Sequence, residues 1–149
     1  MECINISKEY KKKKVLSDIS FSLERGKIYG LIGRNGVGKT TLLSIMSAQN
    51  PATSGKVMID GEEVWENTHA LSKICFSREL QTTEAYKVKE YLDTAAIFYP
   101  HWDKEYAERL VNIFNLDKKQ RMNKLSKGML SMITIIVALA SKAEYTFLD

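Results

Sequence analysis

Residues 32 to 43 read IGRNGVGKTTLL, and their order is that of a phosphate cradle. Gly33, Gly38, Lys39 and Thr40 satisfy G-x-x-x-x-G-K-[ST], a pattern whose parts each have a physical task. Glycines let consecutive backbone N–H groups turn into one concavity around an anion. A helix that starts near Lys39 adds its positive end. Lys39 would reach terminal phosphate oxygens, and the Thr40 hydroxyl would ligate Mg²⁺. Gly33, Asn35, Gly36, Gly38, Lys39, Thr40 and Thr41 are therefore the candidate nucleotide-binding residues. From average residue usage, a random chain of this size shows the pattern on the order of one time in a hundred.

The loop needs a strand before it and a helix after it. KIYGLIG (27–33) is an apolar run that reads as a strand buried on both faces, and KTTLLSIMSA reads as a helix. Upstream, INIS opens a short strand, and DISFSL alternates with Ile19, Phe21 and Leu23 on one face. Downstream, NPATSG breaks the pattern, KVMID is a strand, and Asp60-Gly61 makes a hairpin-type turn into EEVW. KICFS is the next strand. VKEYLDTAAIFY reads as a helix halted by Pro100. Asp103 is placed to cap KEYAERLVNIFNL, with Ala107, Leu110, Val111 and Phe114 on one stripe. Ser126 is placed to cap the helix through MLSMITIIVALA, and YTFLD is an apolar strand tipped by Asp149. Strands, a glycine loop into a helix, more strands, a helical block and a strand make an α/β layout.

The 149 residues are one domain's worth, and 44% hydrophobic with 27% charged residues are the proportions of a globular chain. The net charge of +4 is mild, and Lys11 to Lys14 read as a solvated hairpin loop. No second basic cluster or aromatic platform supports a nucleic-acid partner. Cys3 and Cys75 lie far apart in apolar runs and are expected to be buried free thiols of a reducing compartment. His69 and His101 have no ligand-spaced partner for zinc. The longest apolar stretch falls short of the roughly 20 residues that span a bilayer.

Guanine-specific GTPases carry N-K-x-D, and the nearest match, Asn123 to Ser126, ends in Ser. The arginine-rich lid of small-molecule kinases is also missing. The chain as a whole resembles the nucleotide-binding subunit of ATP-binding cassette (ABC) transporters. KEYKKKKVLSDISFSLERGKIYGLIGRNGVGKTTLL is similar to the family's opening through Walker A. NPATSGKVMIDGEEV is similar to the strand-turn-strand that follows. LSKGM (125–129) stands at the place of the signature motif, and YTFLD at that of Walker B.

The resemblance implies a RecA-like P-loop NTPase core with an antiparallel β subdomain and a helical subdomain at about 80–140, within a single ATP-binding domain over 1–149 that stops at the Walker B strand. Tyr10 is expected to stack on adenine. An aromatic there has that capacity on physical grounds too, stacking being worth about 1–3 kcal/mol. Asp149 would hold Mg²⁺ together with Thr40. Lys39, Asp149 and Gln81 would carry the chemistry, although the Q-loop position counted from KICF holds Glu79, so either Glu79 or Gln81 serves. Ser126 and the N–H of Gly128 would contact the γ-phosphate of ATP bound to a second subunit, arranged head to tail as a homo- or heterodimer. Lys127 and Met129 depart from the common L-S-G-G-Q form and resemble ABC-2-type exporter ATPases.

The implied protein is an ATPase on the cytoplasmic face of the cell membrane, using ATP and Mg²⁺ and partnered by a transmembrane permease. The family continues past the Walker B Asp with a catalytic Glu and a switch His. The sequence is accordingly expected to be a fragment of a longer protein, with little hydrolysis of its own. Two alternatives stay open at this point: a non-transport ABC ATPase acting on ribosomes or DNA, and a regulatory nucleotide-binding module.

Overall fold

The structure is a computed structural model, and it describes residues 1–78 and 85–149. The chain divides into two compact units, Met1–Ile74 and Cys75–Asp149.

The first unit is built on a four-stranded antiparallel sheet ordered β2-β1-β3-β4, from β1 (Glu2–Tyr10), β2 (Lys13–Ser22), β3 (Ser54–Ile59) and β4 (Glu62–Glu63). Tyr10 faces Lys13 across the β1–β2 turn, so the lysine run is the solvated hairpin tip its composition indicates. Asp60 and Gly61 both take positive φ, 52° and 83°, between the paired residues Ile59 and Glu62. That is the primed turn whose twist matches flanking antiparallel strands. The turn is tied down at its rim, where Asp60 Oδ2 accepts from Arg25 Nη2 at 2.6 Å and from Lys73 Nζ at 2.7 Å. The buried residues of this unit include Cys3, Ile6, Leu16, Val57, Ile59 and Val64 of the sheet region, and Leu42, Ile45 and Met46 of α1 (Lys39–Met46). A single turn of helix, α2 (Thr68–Leu71), is capped by Asn67, whose side chain accepts from His69 N and Ala70 N.

A bulge lies near the middle of β1. The β1–β3 register shifts between Ile4 and Ser7, and Asn5 stands at φ 51°. Asn5 N donates to Ser20 Oγ at 2.8 Å, and its amide donates to Asp18 Oδ1 at 2.7 Å, so the bulged backbone is partnered by β2. The opposing strand answers with Gly55 at φ 83°. A Cβ there would lie 2.3 Å from Asn5 O and 2.4 Å from Ile4 O, both backbone atoms.

The expected strand over 27–33 is not formed. None of these residues joins either sheet, and Ile28 and Ile32 are fully exposed at 102% and 95%. An apolar run becomes a central strand only when neighbouring strands satisfy its N–H and C=O groups. Among the described residues, no strand pairs with this one.

The second unit packs three helices, α3 (Val88–Phe98), α4 (Lys104–Ile113) and α5 (Lys127–Ala140), around Val88, Leu92, Leu110, Val111, Ile133 and Ile136. Asp103 caps α4 by accepting from Tyr106 N at 2.8 Å. Ala107, Leu110 and Val111 are buried as the stripe requires, with Phe114 packed at the cluster's margin. Segment 118–122 runs beside the start of α3, where Val88 N donates to Gln120 O and Met122 N to Tyr86 O. Strands β5 (Ile74–Ser77) and β6 (Tyr145–Leu148) pair with each other.

Both cysteines are buried free thiols. Burial pushes the Cys3 thiol up to about 12, which keeps it neutral and unreactive. Cys75 Sγ donates to the Tyr99 hydroxyl at 3.3 Å, and burial raises the Tyr99 phenol above its ordinary range. Among the described residues, no helix is long and apolar enough to cross a membrane.

Candidate functional site

The loop from Gly33 to Gly38 is shaped by two left-handed glycines, Gly36 at φ 78° and Gly38 at φ 110°. At Gly38 the need is steric as well. A Cβ would lie 2.9 Å from Leu16 Cδ2, 3.1 Å from Val15 Cγ1 and 3.2 Å from Val15 O. Strand β2 therefore lies directly against the loop, and its contacts together with the positive φ call for glycine at 38. Val15 and Leu16 were not identifiable as loop supports from their sequence, because nothing local marks a contact between residues so far apart. Gly33 is tight in its own way, since a Cβ would stand 3.0 Å from Val37 Cγ1.

Lys39 folds back across the loop. Its Nζ donates to Gly33 O at 2.7 Å and to Arg34 O at 3.0 Å. The α1 helix begins at Lys39 with Gly38 as its N-cap, so no side chain caps it, and its first turn has no acidic residue. The amides of such a first turn have no intrahelical acceptor, and they sit at the positive end of the helix. Thr40 and Thr41 occupy this turn, and Asn35 and Gly36 are exposed in the loop before it.

Tyr10 closes β1 and is half-exposed. Its ring carries the Lys8 ammonium 5.0 Å from the centroid, and Lys8 Nζ also donates to Pro51 O at 2.6 Å. An ammonium thus already stands against the Tyr10 ring.

The other candidate residues belong to the second unit. Ser126 is the N-cap of α5 and accepts from Met129 N at 3.2 Å. Gly128 has an ordinary backbone, and a Cβ on it would meet only Ser126 Oγ, at 3.9 Å. Among the described residues nothing crowds a side chain at this position, and Gly128 is exposed. Asp149 follows β6, and its N–H donates to Ser77 O at 3.1 Å. Its side chain is 24% exposed and its Oδ2 stands 3.9 Å from Arg78 Nε, a neighbour that sequence reasoning did not find. Gln81 and Glu79 lie outside the described residues.

The candidate metal donors are oxygens, the kind a hard cation takes. Among the described residues there is no cluster of three His, Cys, Asp or Glu side chains to form a protein cage. Mg²⁺ characteristically takes one or two protein oxygens and completes its shell with phosphates and water. Asp149 offers a carboxylate in the second unit, and Thr40 a hydroxyl in the first.

A family model described as ABC transporter matches residues 16–149. The chain belongs to the ABC transporter family. It is 29% identical over its whole length to the ABC transporter ATP-binding protein YtrB of Bacillus subtilis, covering 51% of that protein. It is 30% identical to the petrobactin import ATP-binding protein YclP of the same organism, covering all of this chain and 63% of the relative. Among solved structures, a putative ABC transporter ATP-binding protein from Pyrococcus furiosus aligns with a TM-score of 0.84 and 28% identity, over 99% of this chain and 74% of that one. An ATP-binding subunit of an ABC transporter aligns with a TM-score of 0.86 at 24% identity, over 99% of this chain and 65% of that one. The fold is thus the α/β P-loop NTPase of ABC ATPases, with an antiparallel β part and a helical part. The chain spans about half the length of YtrB.

Proposed function

We propose that this ABC chain is the nucleotide-binding part of an ATPase subunit that couples ATP binding and hydrolysis to export of a substrate across a membrane. One observation carries the reading. The Lys39 ammonium, two left-handed glycines and the uncapped first turn of α1 converge on one short loop. A cation, a concave backbone and a helix N-terminus together suit an anion as highly charged as a triphosphate.

The residues divide the work. Backbone amides from Gly33 to Thr41 hold the β- and γ-phosphates. Lys39 places charge where it accumulates as the phosphoryl group transfers. Tyr10 offers its ring to adenine. Thr40 and Asp149 would hold Mg²⁺, which when bound neutralises phosphate charge. Gln81, or Glu79 in its place, positions the attacking water. Ser126 and Gly128 complete the site of a second subunit, so ATP lies between two copies or between this chain and a homologue. A similar ATP-binding cassette has been solved as a dimer with ADP and Pi, aligning at a TM-score of 0.78 and 20% identity, which supports this arrangement. The helical part at about 80–140 docks on a transmembrane permease at the cytoplasmic face.

Titration with a fluorescent ATP analogue tests the reading. Binding in the presence of Mg²⁺ that is lost in Lys39→Ala is expected, and equal binding by both proteins would overturn it. Export rests on the Lys127 and Met129 form of the signature motif, whereas several relatives carry import in their names. ATP-driven uptake into inverted membrane vesicles bearing the whole transporter is the outcome expected for an exporter. Uptake confined to right-side-out vesicles would reverse the direction.

A further inference from the structure

Strands β5 and β6 end level with each other, because Asp149 N–H donates to Ser77 O at 3.1 Å. The next residue along β5's exit is Arg78. Its guanidinium lies over the Phe76 ring, 5.6 Å from the centroid, and its Nε stands 3.9 Å from Asp149 Oδ2. Three contacts thus fix the relation between a cation and a strand-end carboxylate: a backbone hydrogen bond, a ring face that steadies the planar guanidinium, and the ion pair itself. Arg78 is about half exposed and Asp149 about one quarter exposed, so the pair is screened but not dissolved by water.

We propose that Arg78 is a positioning residue that holds the Asp149 carboxylate and yields it to the divalent cation, so that metal uptake at this site competes with an internal arginine. The inference rests on the reading of Asp149 as an Mg²⁺ ligand. The physical ground is simple. A carboxylate paired with Arg78 attracts a second cation less, and Arg78 itself repels that cation. Phosphates arriving with the metal offset both effects. Arg78 therefore links metal uptake to nucleotide uptake and disfavours metal alone.

The test titrates Mg²⁺ against the chain and a fluorescent ATP analogue, and compares the native protein with Arg78→Ala, Arg78→Lys and Asp149→Asn. Arg78→Ala should reach half-saturation at about two- to five-fold lower Mg²⁺, the size expected when a partly exposed pair is removed. Its affinity for the analogue in EDTA should not fall. Arg78→Lys should lie between the two, since charge remains while the planar contact with Phe76 is lost. Where the alanine variant fails to fold, Arg78→Gln keeps bulk over Phe76 and should show the same shift. A second readout is the melting temperature: Arg78→Ala should be less stable than the native protein in EDTA, and the gap should close in excess Mg²⁺. An unchanged Mg²⁺ requirement in Arg78→Ala, beside a raised requirement in Asp149→Asn, would overturn the role of Arg78 and leave the metal site standing. No change in Asp149→Asn would remove the metal site, and this inference with it.

Discussion

Lys39 Nζ donates to Gly33 O at 2.7 Å, so the cation at the end of the glycine loop closes on the residue that begins it. The ring this makes includes Arg34 O, at 3.0 Å. Backbone carbonyls and one flexible side chain make this closure, while Val15 and Leu16 of β2 lie against the loop at Gly38. A phosphate entering the loop exchanges neutral carbonyl acceptors for charged ones, which favours the anion.

Lys39→Ala should consequently cost binding far more than folding. Loss of a charged donor at this position is worth about 1.5–3 kcal/mol, or roughly a ten- to hundred-fold weaker affinity for an ATP analogue. The urea midpoint should hardly move. A large stability loss with intact affinity would show that the lysine is a strut and not a ligand.

Gly38 and Gly36 separate two reasons for glycine. Both have positive φ, but a Cβ on Gly36 would meet nothing within 4 Å, whereas on Gly38 it would strike Val15 and Leu16. Gly36→Ala should cost about 1 kcal/mol of strain. Gly38→Ala adds a clash with the Val15 backbone and should cost about 2–4 kcal/mol, with loss of nucleotide binding. Equal urea-denaturation midpoints for the two variants would mean that β2 does not buttress the loop.

The sequence made these features legible to different depths. Asp60-Gly61, Asp103 and Ser126 were readable because turns and caps are local: one side chain or one φ value decides them within four residues. The helices α1, α3, α4 and α5 were readable from the sequence, whereas the single turn α2 was not. KIYGLIG misled because its apolar run specifies burial but not partners, and strand formation depends on pairing that no local window contains. The bulge at Asn5 and its complement Gly55 were invisible for the same reason: the two positions lie far apart in the chain, and Gly55 stood in NPATSG, a stretch read only as a pattern break. Arg78 beside Asp149 joins residues far apart in sequence, and no spacing rule announces such a pair. Among the candidate site residues, those of the glycine loop follow from residue type and order alone. Ser126 and Gly128 gained meaning only from the resemblance, because a serine cap followed by glycine is by itself ordinary helix chemistry.

The Asp103 cap predicts a pH dependence. Its carboxyl is held below the usual carboxylate range, chiefly by the backbone N–H of Tyr106, with Lys142 adding to the effect. The folded form therefore binds the proton less readily than the unfolded chain. The resulting stability is full above the unfolded value, about 3.9, and is lost as pH falls through the lower folded value. Asp103→Asn keeps an acceptor for Tyr106 N but has no charge to titrate. The native protein should be the more stable at neutral pH, and the two should converge in acid. Parallel urea midpoints across the whole acid range would show that the charge of Asp103 adds nothing.

Ser126 offers a substitution that separates the cap from the partner site. Its Oγ accepts from Met129 N at 3.2 Å, and the residue is exposed at the start of α5. Ser126→Ala removes the acceptor and should destabilise the chain by about 1 kcal/mol. Ser126→Asp restores an acceptor and places a negative charge at the positive end of the helix, so folding should be retained or improved. The same carboxylate would face the γ-phosphate carried by the second subunit and repel it. Sedimentation in the presence of ATP should therefore show dimers for the native protein, few for Ser126→Ala, and none for Ser126→Asp despite its sound fold. ATP-driven dimers of Ser126→Asp at native yield would confine Ser126 to its helix and remove it from the nucleotide site.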